Sequence, residues 1–217
     1  MVNIIYQDEH IVAINKPSGL LSIPDGYAPY LPNLQSILKD EFGSVWTVHR
    51  LDKETSGVIL FTLSATAHKE MSALFELRKI KKNYRALVLG VNLDTHFVVD
   101  IPLRVNGDRR HRTVIDPVKG KPAQTEFYTQ KQLDQTSIID AFPLSGYTHQ
   151  IRAHLAYHET PIVNDSLYGN RLTSPPTLNQ TGRLMLHAIK ISFVHPFTQI
   201  PVEIVAPLPP ELAILDV

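Results

Sequence analysis

The feature that most limits what this chain can fold into is its succession of short apolar or alternating runs, each broken by turn formers. Sixteen prolines are spread over the 217 residues, and each one interrupts helical hydrogen bonding, so an all-helical bundle is excluded. Ile4-Ile5-Tyr6, a Gln-Asp-Glu-His turn and Ile11-Val12-Ala13-Ile14 read as a β-hairpin closed by Lys16-Pro17-Ser18-Gly19. Between Pro32 and Phe42, Leu34, Ile37 and Leu38 fall at helical spacing, and Ser64 is placed to cap a second helix carrying Ala67, Met71, Leu74 and Phe75 on one face. Tyr84 to Leu89, Phe97 to Val99, Ala123 to Thr129 and Ser137 to Phe142 read as consecutive strands. Thr148 is the expected N-cap of a helix through Tyr157, after which Met185 to Phe193 and Val202 to Val205 return to strand character. Thr173-Ser174-Pro175-Pro176 marks an exposed loop. The pattern predicts an α+β fold, a large mixed and mostly antiparallel sheet with helices packed on it, in one domain over residues 1–217.

Composition narrows the functional classes. With no cysteine there is neither a disulfide framework nor thiolate chemistry. The first ten residues lack the basic and apolar regions of a signal peptide, and no apolar run approaches a membrane span, so a cytoplasmic protein without membrane contact is expected. The formal charge is zero, yet Arg78 to Arg112 carries nine Lys or Arg against three acids, which places a basic patch on an otherwise acidic chain. The sources are Arg78 to Arg85 and Arg104 to Arg112, both suited to phosphate contacts.

One stretch concentrates chemistry: His49-Arg50-Leu51-Asp52-Lys53-Glu54-Thr55-Ser56-Gly57 sets an acid between an apolar residue and a turn that runs into the apolar segment Val58 to Phe61. Such surroundings fix a carboxylate's direction, as catalytic acids require. The run His49-Arg50-Leu51-Asp52, then Thr55-Ser56-Gly57, resembles the signature of the RluA family of RNA pseudouridine synthases. Further segments are similar to the same family, in order along the chain: Lys82-Asn83-Tyr84-Arg85-Ala86, Gly146-Tyr147-Thr148-His149-Gln150-Ile151-Arg152, Pro161-Ile162-Val163-Asn164-Asp165-Ser166-Leu167-Tyr168-Gly169, and Leu186-His187-Ala188.

The resemblance implies the pseudouridine synthase fold, with a cleft across its sheet, and an isomerase that detaches uracil from C1′ of a uridine in rRNA or tRNA, rotates it and rejoins it through C5. It implies Asp52 as the essential carboxylate, Arg152 as its ionic partner, and Tyr84 as the ring against the target uracil. Arg50 is assigned to the space left by an extruded nucleotide or to a phosphate; His49, Thr55, His149 and Gln150 complete the expected substrate contacts. No cofactor and no metal are expected, since uracil leaves as a stabilised anion, and a monomer is expected. Tyr147 departs from the family, which has arginine there; Arg104, Arg109 or Arg112 are the neighbours able to replace that charge. The chain begins directly with the hairpin, so no separate N-terminal RNA-binding module is expected and recognition is assigned to the catalytic domain. The rival reading is a non-catalytic RNA-binding or RNA-folding protein on the same scaffold. A metal hydrolase built on His149, His154 and His158 fares worse, because no H-E-x-x-H string occurs.

Overall fold

A computed structural model describes residues 2–91, 93–169 and 182–216. In chain order the elements are β1 (Ile4–Gln7), β2 (Ile11–Lys16), α1 (Leu34–Phe42), β3 (Trp46–Thr47), β4 (Ser56–Thr62), α2 (Ala65–Glu76), β5 (Lys81–Leu89), β6 (His96–Asp100), β7 (Leu103–Arg104), β8 (Val114–Ile115), β9 (Gln124–Gln132), β10 (Thr136–Pro143), α3 (Gln150–Tyr157), β11 (Leu186–Val194), β12 (Pro201–Val205) and a 3₁₀ turn at Pro210–Leu215. The strands run β1-β2-β4-β11-β5-β10-β9-β6 in hydrogen-bonded order, with β12 beside β11 and β3 beside β4. This is the expected α+β fold with a large, mostly antiparallel sheet. The anticipated loop at Thr173 to Pro176 lies outside the described residues. Among the described residues, no helix is long and apolar enough to cross a membrane.

Two compact units divide the chain: Met1–Lys82 with Ala188–Pro207, and Asn83–His187 with Leu208–Val217. In the first, the hairpin expected at the N-terminus pairs Tyr6 with Ala13 and Gln7 with Val12, and β2 continues onto β4 from Ile11↔Thr62 to Lys16↔Gly57. All seven residues of β4 are buried, as a central strand covered on both faces must be, and this explains its unbroken apolar run. Leu34 and Leu38 of α1 and Ala67 and Met71 of α2 are fully buried. Both helices start where side-chain caps satisfy otherwise orphaned N–H groups: Asn33 accepts from Ser36 N, and Ser64 accepts from Ala67 N, as its position predicted.

In the second unit β10 pairs with β5 and β9, and β6 with β9, all antiparallel. Its core gathers Leu87, Val88, Phe127, Ile138 and Ile139 from the strands, Ile151 and Leu155 from α3, and Leu212 and Leu215 from the 3₁₀ turn. A half-buried ion pair ties that turn down: Arg85 donates from Nε and Nη2 to the two Asp140 oxygens at 2.7 and 3.1 Å, and from Nη1 to Leu215 O at 3.2 Å. The small β7–β8 ribbon pairs Leu103 with Ile115 and Arg104 with Val114.

One helix start differs from the expectation. The N-cap of α3 is His149 in the left-handed region (φ 57°), with no side-chain cap bond, where Thr148 was expected. The Thr148 carbonyl accepts from Thr113 Oγ1 at 2.6 Å, a tertiary bond to the backbone one residue before the cap.

Gly57 is the position in the first unit that tolerates no side chain. Its φ is +112°, and a Cβ there would overlap the Ala188 carbonyl oxygen. Strain at positive φ adds to a clash with backbone that cannot rotate away. Gly57→Ala should cost at least about 3 kcal/mol, measured by urea unfolding followed by circular dichroism.

Candidate active site

Asp52 lies half-buried in the loop leading into β4, and the loop is fastened on both sides of it. On the N-terminal side, Ser22 Oγ donates to Leu51 O at 2.8 Å and accepts from Leu51 N at 3.1 Å, while Leu51 itself is buried. On the C-terminal side, the Lys16 ammonium, fully buried, donates to Pro17 O, Leu20 O and Lys53 O at 2.9, 2.8 and 3.1 Å. Gly19 N donates to Lys53 O at 2.8 Å, and Ser18 Oγ to Glu54 O at 2.7 Å. Thr55 N closes the turn on Asp52 O at 3.1 Å. Three N–H donors of one ammonium match three carbonyls, which is how a buried lysine recovers the hydration it loses. The backbone on both sides of this carboxylate is thereby fastened to segment 16–22.

The neighbouring expected contacts divide. Arg50 is exposed. His49 serves the scaffold: its Nε2 accepts the Leu60 N–H at 2.9 Å and its ring stacks on Phe75 at 4.8 Å. That N–H lies one step beyond the last β3–β4 pair, Thr47↔Phe61, so the imidazole continues a ladder that the backbone has left. Burial, with the Lys82 charge adding to it, pushes the His49 pKa down to about 3, and burial, with Arg78 adding, pushes Lys82 down to about 8. Thr55 is buried, and its hydroxyl has no hydrogen-bond partner among the described residues.

In the second unit Tyr84 stands on β5 opposite Ala141 and packs, half-buried, against the core. Arg152, in the first turn of α3, is 3% exposed, which rules out a solvent-facing helix arginine. Its Nε and Nη2 donate to Asp165 Oδ2 and Oδ1, both at 2.8 Å, a bidentate fork that fixes the plane of the guanidinium. Asp165 Oδ1 also accepts from Leu167 N and Tyr168 N at 3.0 Å each. The Tyr168 ring lies 5.3 Å from the Arg152 Cζ and 5.8 Å from that of Arg112. Burial raises the Tyr168 pKa to about 12, so the phenol stays protonated; it donates to Thr113 O at 3.1 Å while accepting from Thr113 N at 2.9 Å. His149 Nδ1 approaches the same hydroxyl at 3.2 Å.

Gln150, expected to touch substrate, is 3% exposed and its amide is engaged within the unit. Oε1 accepts from Ser145 Oγ and Tyr147 N, and Nε2 donates to Gln124 O and Thr125 Oγ1. Asp165 and Tyr168 are the residues that motif reading passed over; the string Asp165-x-x-Tyr168 was visible, but nothing in it says that it holds Arg152. Tyr147, the departure from arginine, packs its ring with Leu103, Ala123, Ala153, Ile115 and Tyr168. Arg104 and Arg112 on the adjacent ribbon pair with Asp116 and Asp108 at 2.6 Å each.

Two measurements check this geometry. Asp165→Ala strands a buried guanidinium and should destabilise the protein by about 3–5 kcal/mol, read by urea unfolding. His49 has a folded pKa near 3 against about 6.5 unfolded. Between those values the unfolded chain binds the extra proton, so this contribution to stability should be complete above about pH 6.5 and be lost as the pH falls toward 3. Histidine NMR titration should show the His49 imidazole neutral throughout that window.

Comparison with known proteins finds relatives over most of the chain. The sequence model of the RNA pseudouridylate synthase family matches residues 10–157. The dual-specificity RNA pseudouridine synthase RluA of Haemophilus influenzae is 37% identical over 198 residues, covering 91% of this chain and 89% of that protein. RluA of Escherichia coli is 36% identical over 194 residues, covering 89% and 87%, and the ribosomal large subunit pseudouridine synthase C of Vibrio vulnificus is 35% identical over 212 residues, covering 96% and 66%. Among solved structures, human RNA pseudouridylate synthase domain containing 4 superposes with a TM-score of 0.79 at 25% identity, covering 97% of this chain and 90% of the other. Human RNA pseudouridylate synthase domain containing 1 gives 0.78 at 27%, covering 100% and 86%. The chain belongs to the RluA-like RNA pseudouridine synthases and is, by that membership, an RNA-modifying isomerase.

Proposed function

We propose that this enzyme converts specific uridines in rRNA or tRNA to pseudouridine with Asp52 as the essential carboxylate. The observation that supports the reading most is the loop around Asp52, bonded at Leu51, Lys53 and Glu54 to the segment 16–22. It fixes the backbone of an acid in the turn that leads into a fully buried strand. The reaction breaks the N1–C1′ bond, with the electron pair leaving on uracil. The base turns, C5 bonds to C1′, and the proton on C5 is then removed while N1 regains one. A carboxylate beside the sugar serves the first step, either by attacking C1′ or by taking a proton from C2′.

Tyr84 is assigned to stacking on the uracil, and its hydroxyl is in a position of the motif suited to relay the C5 proton. Arg152 is assigned the positive charge that keeps the reacting carboxylate ionised; the fork to Asp165 holds its guanidinium plane still for that task. Arg50 is assigned to the stack vacated by the flipped nucleotide. The relatives whose names state dual specificity are matched over nearly their whole length, which favours more than one RNA substrate.

Purified protein is incubated with total RNA from a strain lacking the gene, and pseudouridine is mapped by base-specific chemistry. Wild type should form pseudouridine at discrete sites in both RNA classes. Asp52→Asn should lose at least about a thousandfold in rate while binding the same RNA within about twofold, because affinity rests on phosphate contacts. Turnover by Asp52→Asn near that of wild type would refute the assignment.

A further inference from the structure

The loop between Ser22 and Asn33 is not absorbed by the reaction described above. It carries two aromatic residues, Tyr27 and Tyr30, which are 99% and 83% exposed. Among the described residues neither ring packs on another ring, and neither hydroxyl is hydrogen-bonded. Single exposed apolar residues are ordinary; two tyrosines at nearly full exposure, three residues apart on an ordered loop, are not.

The order of the loop is local and specific. Asp25 Oδ1 accepts from Tyr27 N and Ala28 N at 2.8 and 3.0 Å, and Leu31 N donates to Ala28 O at 3.1 Å. These bonds make an Asx turn followed by a second turn. Pro24, Pro29 and Pro32 each fix one φ. The ends of the loop meet: Leu21 bridges Asn33, Leu34 N donates to Leu21 O at 2.8 Å, and Gln35 N donates to Ser22 O at 3.1 Å. This is an Ω-loop with a closed stem, a form often given to function. The backbone that presents both rings therefore has little conformational freedom left to lose on binding.

The stem is bonded directly to the loop of Asp52, since Ser22 Oγ makes both hydrogen bonds to the Leu51 backbone. Tyr27 is five residues from Ser22 and Tyr30 three from Asn33, so their Cα atoms are within about 18 Å and 11 Å of that stem. The rings are therefore carried on a loop whose stem lies directly against the Asp52 loop.

We propose that Tyr27 and Tyr30 stack on unpaired bases of the RNA substrate that flank the target uridine. The inference rests on the RNA pseudouridine synthase reading and extends it to a contact surface. Single-stranded segments are held by aromatic faces, which every base can use. The loop is poor in groups that read base edges: its one acid, Asp25, spends Oδ1 on backbone N–H groups. A protein partner fits less well. Two tyrosines supply at most about 500 Å² together, short of the roughly 800 Å² that each side of a stable protein interface buries.

The test is steady-state pseudouridine formation on total RNA from a strain lacking the gene, with RNA concentration varied. Tyr27→Ala/Tyr30→Ala should raise the apparent KM about tenfold or more, with kcat within twofold and the thermal midpoint nearly unchanged, because both side chains are almost wholly exposed. Tyr27→Phe/Tyr30→Phe, which keeps both faces, should stay within twofold of wild type in KM. An unchanged KM in the alanine variant overturns the proposal, and so does a phenylalanine variant as weak as the alanine one. Failure of the underlying reading shows differently, as wild-type protein that forms no pseudouridine on any RNA, and it overturns this inference as well.

Discussion

A buried lysine organises the segment to which the proposed chemistry is assigned. Placing the Lys16 ammonium in a fully buried position would cost several kcal/mol if nothing replaced its water. Three carbonyls replace it, two from the segment immediately after β2 and one from Lys53. The requirement works in both directions: the lysine needs those oxygens, and the oxygens are thereby held at one point. Asp52 sits between the Leu51 backbone, bonded to Ser22, and the Lys53 carbonyl, bonded to Lys16. The result is a carboxylate whose backbone is positioned from both sides by main-chain bonds. Preorganisation of this kind is what a reacting group needs, because a carboxylate that had to be oriented during the reaction would add that cost to the barrier.

The second unit solves a related problem with charge. Arg152 and Asp165 are both buried, an arrangement that is stable only when each hydrogen-bonding position is answered. The fork uses one edge of the guanidinium, two backbone N–H groups share Asp165 Oδ1, and the Tyr168 ring lies near the guanidinium. Tyr168 then reaches through its hydroxyl to both backbone groups of Thr113, the residue that ends the basic segment Arg104 to Arg112. The segment is also fastened from its own side, since Arg112 Nη1 donates to Leu167 O at 2.9 Å. One short string, residues 165–168, thus holds the arginine of α3 and the base of the basic ribbon together.

Tyr147 shows how a departure from the family pattern is absorbed. Where relatives have arginine, this chain places an aromatic ring in the small apolar cluster beneath the β7–β8 ribbon. Two of the three neighbours able to supply that charge, Arg104 and Arg112, are each engaged with an aspartate. The substitution exchanges a charge for packing that braces the ribbon, and the ribbon keeps Arg109 and Arg110 among its exposed residues.

Much of the fold was legible in the residues because it rests on local rules. The hairpin, α1, α2 with its Ser64 cap and the long strands follow from periodicity and capping, which act within a few residues. The family, and with it the reaction, was legible from ordered motifs spread along the chain. The two-residue strands β3, β7 and β8 were not, since two residues carry no period, and the α3 cap was misread because His149 adopts a left-handed conformation held by its surroundings. His49 and Gln150 read as substrate contacts, yet their polar groups answer a strand N–H and a loop in the folded protein. Sequence alone determined which chemical groups this protein has and the order in which they occur. Tertiary structure decided which partner each group meets, because burial removes water and obliges every buried donor and acceptor to find another, and the nearest one available is set by the packing of elements distant in sequence.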